Sequence, residues 1–149
     1  PVKESGFVLG ERSLKNLEGV HPDLVAVVKR AIQITRTDFT VIEGVRTKER
    51  QKELVRKGAS KTMNSRHITG HAVDIVPVKD GVISWRIDDY YPLAEAMATA
   101  ADELGVRVRW GGVWSVINNR KNHPSDWIKA YRAGGGKFID GPHFELPAA

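Results

Sequence analysis

Ser65-Arg66-His67-Ile68-Thr69-Gly70-His71-Ala72-Val73-Asp74-Ile75-Val76 is the stretch on which the reading of this chain turns. From His71 to Val78 it is apolar apart from its ends and Asp74, and it reads as a buried strand closed by the turn residues Asp80-Gly81. An ionised carboxylate in such a strand is costly unless it is paired or bound to a metal. Taken alone, Asp74 is most simply the partner of an arginine. The preceding loop shifts that balance, because His67 lies among small and flexible residues and an imidazole there can fold back over the strand. His71 competes for the same place. It stands an odd number of residues from Asp74, so in an unbroken strand the two face opposite sides, and His71 is read as a neighbour rather than a ligand. His143 is the third candidate, in Asp140-Gly-Pro-His-Phe-Glu145, where Gly-Pro forces a turn and His143 opens a strand. Two imidazoles and one carboxylate leave a coordination position open for water, the donor set of a catalytic rather than a structural zinc.

Composition narrows the alternatives. The chain has 149 residues, 41% of them hydrophobic, which suits one globular domain over 1–149 with a core of its own. There is no cysteine, so a disulfide framework and a thiolate site are both excluded and any zinc rests on His, Asp or Glu. Lys and Arg number 23 against 18 acids, a charge of +5, which favours a polyanionic partner: nucleic acid, anionic lipid or the acidic bacterial wall. The basic residues are scattered, with short clusters at Arg46 to Arg50 and Arg107 to Arg109 and no aromatic-interleaved ribbon, so no nucleic-acid platform is expected. No apolar run is long enough to span a bilayer, and Pro1 to Gly6 show no signal-peptide pattern; a chain made in the cytoplasm, without stable membrane insertion, is expected.

The remaining elements follow from periodicity and punctuation. A helical signal covers Glu11 to Leu17. His21-Pro-Asp opens a second helix, in which Leu24, Val27, Val28, Ala31 and Ile32 recur at helical spacing. Phe39 to Ile42 reads as a strand, Thr47 to Lys57 as a helix stopped by Gly58, and Lys61 to Gly70 as an irregular loop. Asp88 to Leu104 reads as an Ala-rich helix ended by Gly105, Val106 to Trp110 as a strand, Pro124 to Arg132 as a helix, and Phe144 to Leu146 as the last strand. This order predicts an α+β fold: a small antiparallel sheet with helices packed on one side and the metal site in a cleft over the sheet. Ile117 to Gly136 matches no motif and is read either as a flap over the substrate or as an exposed loop with a helix.

Ser65-x-His67-x-x-Gly70-x-Ala72-x-Asp74, with Asp140-x-x-His143 near the C-terminus, resembles the zinc D-Ala-D-Ala carboxypeptidases and their relatives, the vancomycin-resistance D,D-dipeptidases and the phage L-alanyl-D-glutamate endopeptidases. The likeness extends through Gly44-x-Arg46-Thr47-x-x-x-Gln51 and Arg109-Trp110-Gly111-Gly112-x-Trp114, and so covers the chain from about Asp38 to Leu146. It implies that His67, Asp74 and His143 bind Zn2+ and that Asp140 is the general base and acid. Glu145, on the same strand face as His143, is the rival base, or else an acceptor from a ligand imidazole N–H. Arg46 is implied at the developing oxyanion or at a substrate carboxylate; without the resemblance it would be read as a surface arginine. Ser65, Gln51 and Trp110 are candidate substrate contacts, with core packing an equal reading for Trp110 and Trp114. Gly70 and Ala72 are read as space-makers beside the metal.

The resemblance is strongest to the phage endolysins. It implies a monomer that cuts the peptide stem of peptidoglycan, at the L-Ala–D-Glu bond, during host cell lysis. It would reach the wall from the host cytoplasm once a partner protein has permeabilised the membrane. A D-Ala-D-Ala carboxypeptidase or dipeptidase of the same fold is the alternative enzyme, and a non-catalytic zinc-binding module the alternative class.

Overall fold

The computed structural model describes residues 4–60 and 62–148. Its sheet is organised around β2 (Ala72–Lys79), the strand that carries Asp74. β1 (Asp38–Glu43) runs antiparallel along one edge of β2. The other edge is shared end to end by β6 (His143–Glu145) and the short β3 (Val82–Ile83). β4 (Arg109–Trp110) pairs with β6, and β5 (Ser115–Val116) with β4, so the order is β1-β2-β6-β4-β5 with every pairing antiparallel.

Alternation of side chains gives this sheet two unlike faces. Val41 pairs with Ile75, Val73 with Phe144 and Phe144 with Trp110, and all five are buried in the core. The opposite face carries Glu43, Asp74 and His143 in one cross-strand row, and Arg109 beside Glu145 in another. A bulge between Val41 and Glu43 makes the first row possible. The extra residue turns Glu43 onto the face of Asp74, which strict alternation from Val41 would not do.

The longer helices cover the apolar face, while the helix Lys48–Arg56 borders the cleft through Leu54. In α2 (Pro22–Ile34) the five residues expected from spacing, Leu24 to Ile32, are all buried. In α4 (Ile87–Leu104) the buried stripe is largely alanine, and small side chains let α4 lie close against α2 and the sheet. Gly105 ends α4 in the left-handed conformation at φ 67°, as its position after an Ala-rich run predicts. α1 (Glu11–Asn16) is tied to β1 through Asn16, whose amide donates to Val41 O at 2.8 Å. α3 (Lys48–Arg56) starts where Thr47 Oγ1 accepts from Arg50 N.

Three expectations about elements need correction. Val106 to Trp110 contributes only Arg109 and Trp110 to the ladder, because the Asn118 side chain occupies the place of a partner strand. It accepts from Val108 N at 2.9 Å and donates to Val106 O at 2.7 Å. The last strand begins one residue early, at His143, and ends at Glu145. Ile117 to Gly136 is no flap: it holds α5 (Pro124–Ala133), whose Trp127 is buried with its ring edge-on to Trp110 at 6.5 Å. Of the expected loop from Lys61 to Gly70, Lys61 lies outside the described residues.

Candidate active site

A cleft of about 750 Å³ opens over the polar face of the sheet. The register of β2 with β6 sets Asp74 directly opposite His143, and the loop before β2 brings His67 over both. That loop is pinned at each end. Arg46 N donates to His67 O at 2.9 Å, and His21 N donates to Gly70 O at 2.8 Å. Gly70 is required there, with φ at 78° and a position where a Cβ would meet Gly19 O at 2.7 Å; it faces the Gly19 backbone rather than the metal group.

Hydrogen bonding fixes which nitrogen of each imidazole carries a proton. His67 Nδ1 lies 2.9 Å from Gly44 O, a carbonyl that can only accept, so Nδ1 is the donor and Nε2 keeps its lone pair. His143 Nε2 lies 2.7 Å from Glu145 Oε1, so Nε2 donates and Nδ1 keeps its lone pair. Glu145 remains ionised: burial would raise its pKa, but the hydrogen bond from His143 and the charges of His143 and Arg109 hold it below the usual carboxylate value. The two free lone pairs then face one atom, Asp74 Oδ1, at 3.1 Å from His67 Nε2 and 3.7 Å from His143 Nδ1. Two lone pairs and a carboxylate oxygen repel one another unless a cation lies among them. Protons are one answer. Burial works against a charged imidazole, yet the hydrogen bonds to Asp74 and Glu145 push His143 up to about 9. Burial likewise opposes ionised Asp74, and the two histidines outweigh it, holding its carboxyl well below the usual range. A divalent metal is the other answer, and the donor atoms, all within 4.8 Å of one another, fit it.

Matches to known proteins fall on this same frame. The family model described as phage L-alanyl-D-glutamate peptidase matches residues 5–147. The chain belongs to this family. An L-alanyl-D-glutamate peptidase of Escherichia phage T5 is 32% identical over 144 residues, covering 94% of this chain and 98% of its relative. One from Listeria phage A118 is 30% identical over 107 residues, covering 70% of this chain and 37% of the relative. Among solved structures, an L-Ala D-Glu endopeptidase of Serratia marcescens is 41% identical with a TM-score of 0.76, covering 95% of this chain and 92% of the other.

Around the His-Asp-His group of this L-alanyl-D-glutamate peptidase family member, the other expected residues divide. Asp140 and Ser65 line the cleft. Among the described residues the Asp140 carboxylate has no hydrogen-bond partner, and burial together with the charge of Asp74 raises its pKa against the opposing pull of His143, His67 and Arg46. Ser65 Oγ accepts from His67 N at 3.2 Å. Arg46 also lines the cleft but is no surface arginine: it is 7% exposed and heavily engaged. Its Nε and Nη2 each meet a Glu43 oxygen at 2.9 Å, Nη1 donates to Gln51 Oε1 at 2.6 Å, and Nη2 reaches Asp74 Oδ2 at 3.3 Å.

Two expected substrate contacts are corrected. Gln51 is fully buried behind the cleft wall, accepting from Arg46 and donating to Ser60 and Thr62. Trp110 is fully buried on the core face, stacked on Phe144 with Nε1 donating to Gly141 O at 2.7 Å. Two other tryptophans line the cleft, Trp85 and Trp114, and Trp114 is held at φ 50° with its ring 5.2 Å from that of His143. His71 lies beside His21, their rings tilted with centroids 5.4 Å apart, and His123 caps α5; neither joins the metal group. Sequence reasoning missed Glu43. Its signal was present, since a glutamate three residues before Arg46 at the end of a strand is a ready ion-pair partner.

Proposed function

We propose that this chain hydrolyses the L-Ala–D-Glu amide bond in the peptide stem of bacterial peptidoglycan, as a phage endolysin whose His67, Asp74 and His143 hold zinc. The observation that carries the reading is the convergence of two imidazole nitrogens on Asp74 Oδ1, each imidazole locked by an acceptor on its far side. Zinc bound there supplies Lewis acidity, polarising the scissile carbonyl and making water acidic enough to attack near neutral pH.

Asp140 takes the proton from the attacking water and hands it to the leaving amine. Two features suit it to both steps: its carboxylate has no hydrogen-bond partner among the described residues, and its pKa is raised, which strengthens it as a base and readies it as an acid. Glu145 is tied to His143 and Arg109, so it serves as the acceptor that orients His143 rather than as the base. Arg46 turns Asp74 so that Oδ1 meets the imidazoles while Oδ2 meets the guanidinium. The family's phage members support endolysin action. Among the described residues no helix is long and apolar enough to cross a membrane, and we assign passage to the wall to a membrane lesion made by a partner protein.

Mass spectrometry of digested peptidoglycan tests the bond, which should yield new D-Glu amino termini and L-Ala carboxyl termini. Release of terminal D-Ala alone would replace this reading with a carboxypeptidase. Asp140→Asn should retain zinc and lose about 10²–10⁴-fold in turnover; near-normal turnover in that variant would remove Asp140 from the mechanism.

A further inference from the structure

The cleft contains three arginines, and they are not equivalent. Arg46 is committed to Glu43, Asp74 and Gln51. Arg109 stands 3.5 Å from Glu145, donates from Nε to Trp114 O at 3.0 Å, and lies over the Trp114 ring at 5.1 Å. Arg66 lines the same cleft yet has no carboxylate partner among the described residues. Its Nε and Nη2 both donate to Leu146 O, at 3.2 and 2.8 Å, which occupies one edge of the guanidinium. The other edge, formed by Nη1 and Nη2, has no protein acceptor there. Among the described residues Arg66 is therefore a cation with no carboxylate partner, held in a set orientation.

The anchor of that orientation is rigid. Leu146 N donates to His71 O at 2.8 Å and His71 N to Arg66 O at 3.0 Å, so the Arg66 backbone and side chain both bind the chain end that follows β6. Arg66 also adjoins His67 in sequence, which places its backbone beside the metal group. A half-buried guanidinium with a vacant two-donor edge matches a carboxylate, the planar acceptor its fork fits best.

We propose that Arg66 binds the substrate carboxylate that is left free on the glutamate following the scissile bond. This rests on the cleavage assigned above. Glutamate has two carboxyl groups; one continues the peptide stem and the other stays outside the backbone, either ionised or amidated. Arg66 then makes the enzyme prefer stems with the ionised group, and it does so through binding rather than through the chemical step. Arg46 cannot take this role without leaving Glu43, and Arg109 is already drawn to Glu145 and to Trp114 O.

The test uses two synthetic stem peptides that differ only at that group, carboxylate or carboxamide, cut by the zinc-loaded wild type, Arg66→Gln and Arg66→Lys. Wild type should favour the carboxylate by roughly 10- to 100-fold in kcat/KM, the range for a charged hydrogen-bonded pair. Arg66→Gln should lose that preference through KM on the carboxylate peptide, with the carboxamide peptide changed by less than about threefold. Arg66→Lys should keep part of the preference, since it retains charge without the fork. Equal losses on both peptides would make Arg66 a staple for the chain end and overturn the proposal, as would an unchanged preference in Arg66→Gln. Melting curves accompany each variant; if Arg66→Gln does not fold, Arg66→Lys decides by the same comparison. A wild type that cuts both peptides without preference overturns this inference alone, whereas one that cuts neither at L-Ala–D-Glu overturns the function it rests on as well.

Discussion

Gly111 offers a way to move the proposed base without touching its side chain. An added Cβ there would stand 2.3 Å from Asp140 O, 3.0 Å from His143 Cβ and 3.1 Å from Asp140 Cβ. Ordinary contact begins near 3.4 Å, so the Asp140 carbonyl must retreat by about 1.1 Å, the difference between the two distances. Little can absorb that shift. Gly111 N donates to His143 O at 2.7 Å and Asp140 N donates to Gly111 O at 2.9 Å, so the two segments are clamped against each other. Misplacing a reacting group by about 1 Å costs on the order of 10²-fold in rate. Gly111→Ala should therefore lower kcat/KM on a soluble muropeptide about 100-fold. His143 has to yield by only a few tenths of an ångström, so zinc content, measured by elemental analysis, should fall far less than turnover. Gly134→Ala is the control: its Cβ would meet nothing closer than 3.5 Å at a φ of −82°, and activity should be unchanged. Wild-type kcat/KM in a folded Gly111→Ala would refute the claim that the Asp140 backbone position governs the chemistry.

Other consequences can be checked with purified protein. Glu145→Gln, which weakens the acceptor on His143 Nε2, should reduce zinc affinity by about 10–100-fold while excess zinc restores most activity. Because His143 in the metal-free protein is pushed up to about 9, it is protonated at neutral pH and zinc must displace that proton; apparent zinc affinity should rise about tenfold per pH unit between 6 and 8, and a flat titration would contradict the raised pKa of His143. Trp110→Ala should destabilise the fold by about 3–5 kcal/mol in denaturant melts, because it empties a fully buried site, without a specific effect on KM.

How far the sequence could be read depended on whether a residue's place is set locally or across the sheet. His67, Asp74 and His143 could be proposed because a carboxylate in an apolar strand is an anomaly visible in one segment, and the structure brings their donor atoms together. The helical face of α2 was equally plain, since its periodicity is local. Trp110 and Trp114 could not be told apart, because which one faces the cleft depends on Trp110 pairing with Phe144 and on a left-handed backbone at Trp114. Gln51 misled for a related reason. It sits one turn into α3 beside a motif arginine, and only the path of the segment around Ser60 and Thr62 shows that it is sealed behind the wall. β3 and β5, at two residues each, carry no pattern long enough to detect.

The row Glu43–Asp74–His143 has a consequence for how such a chain can vary. Insertions in the connections that precede and follow α4 and α5 leave the row intact, because they only lengthen the path between two strands whose register is fixed elsewhere. Insertion or loss of one residue inside β2 or β6 is different in kind: it would carry Asp74 or His143 to the apolar side and bring a core residue such as Val73 or Phe144 into the cleft. Length variation among descendants of this chain should therefore accumulate outside these two short ladders, while the strands keep count.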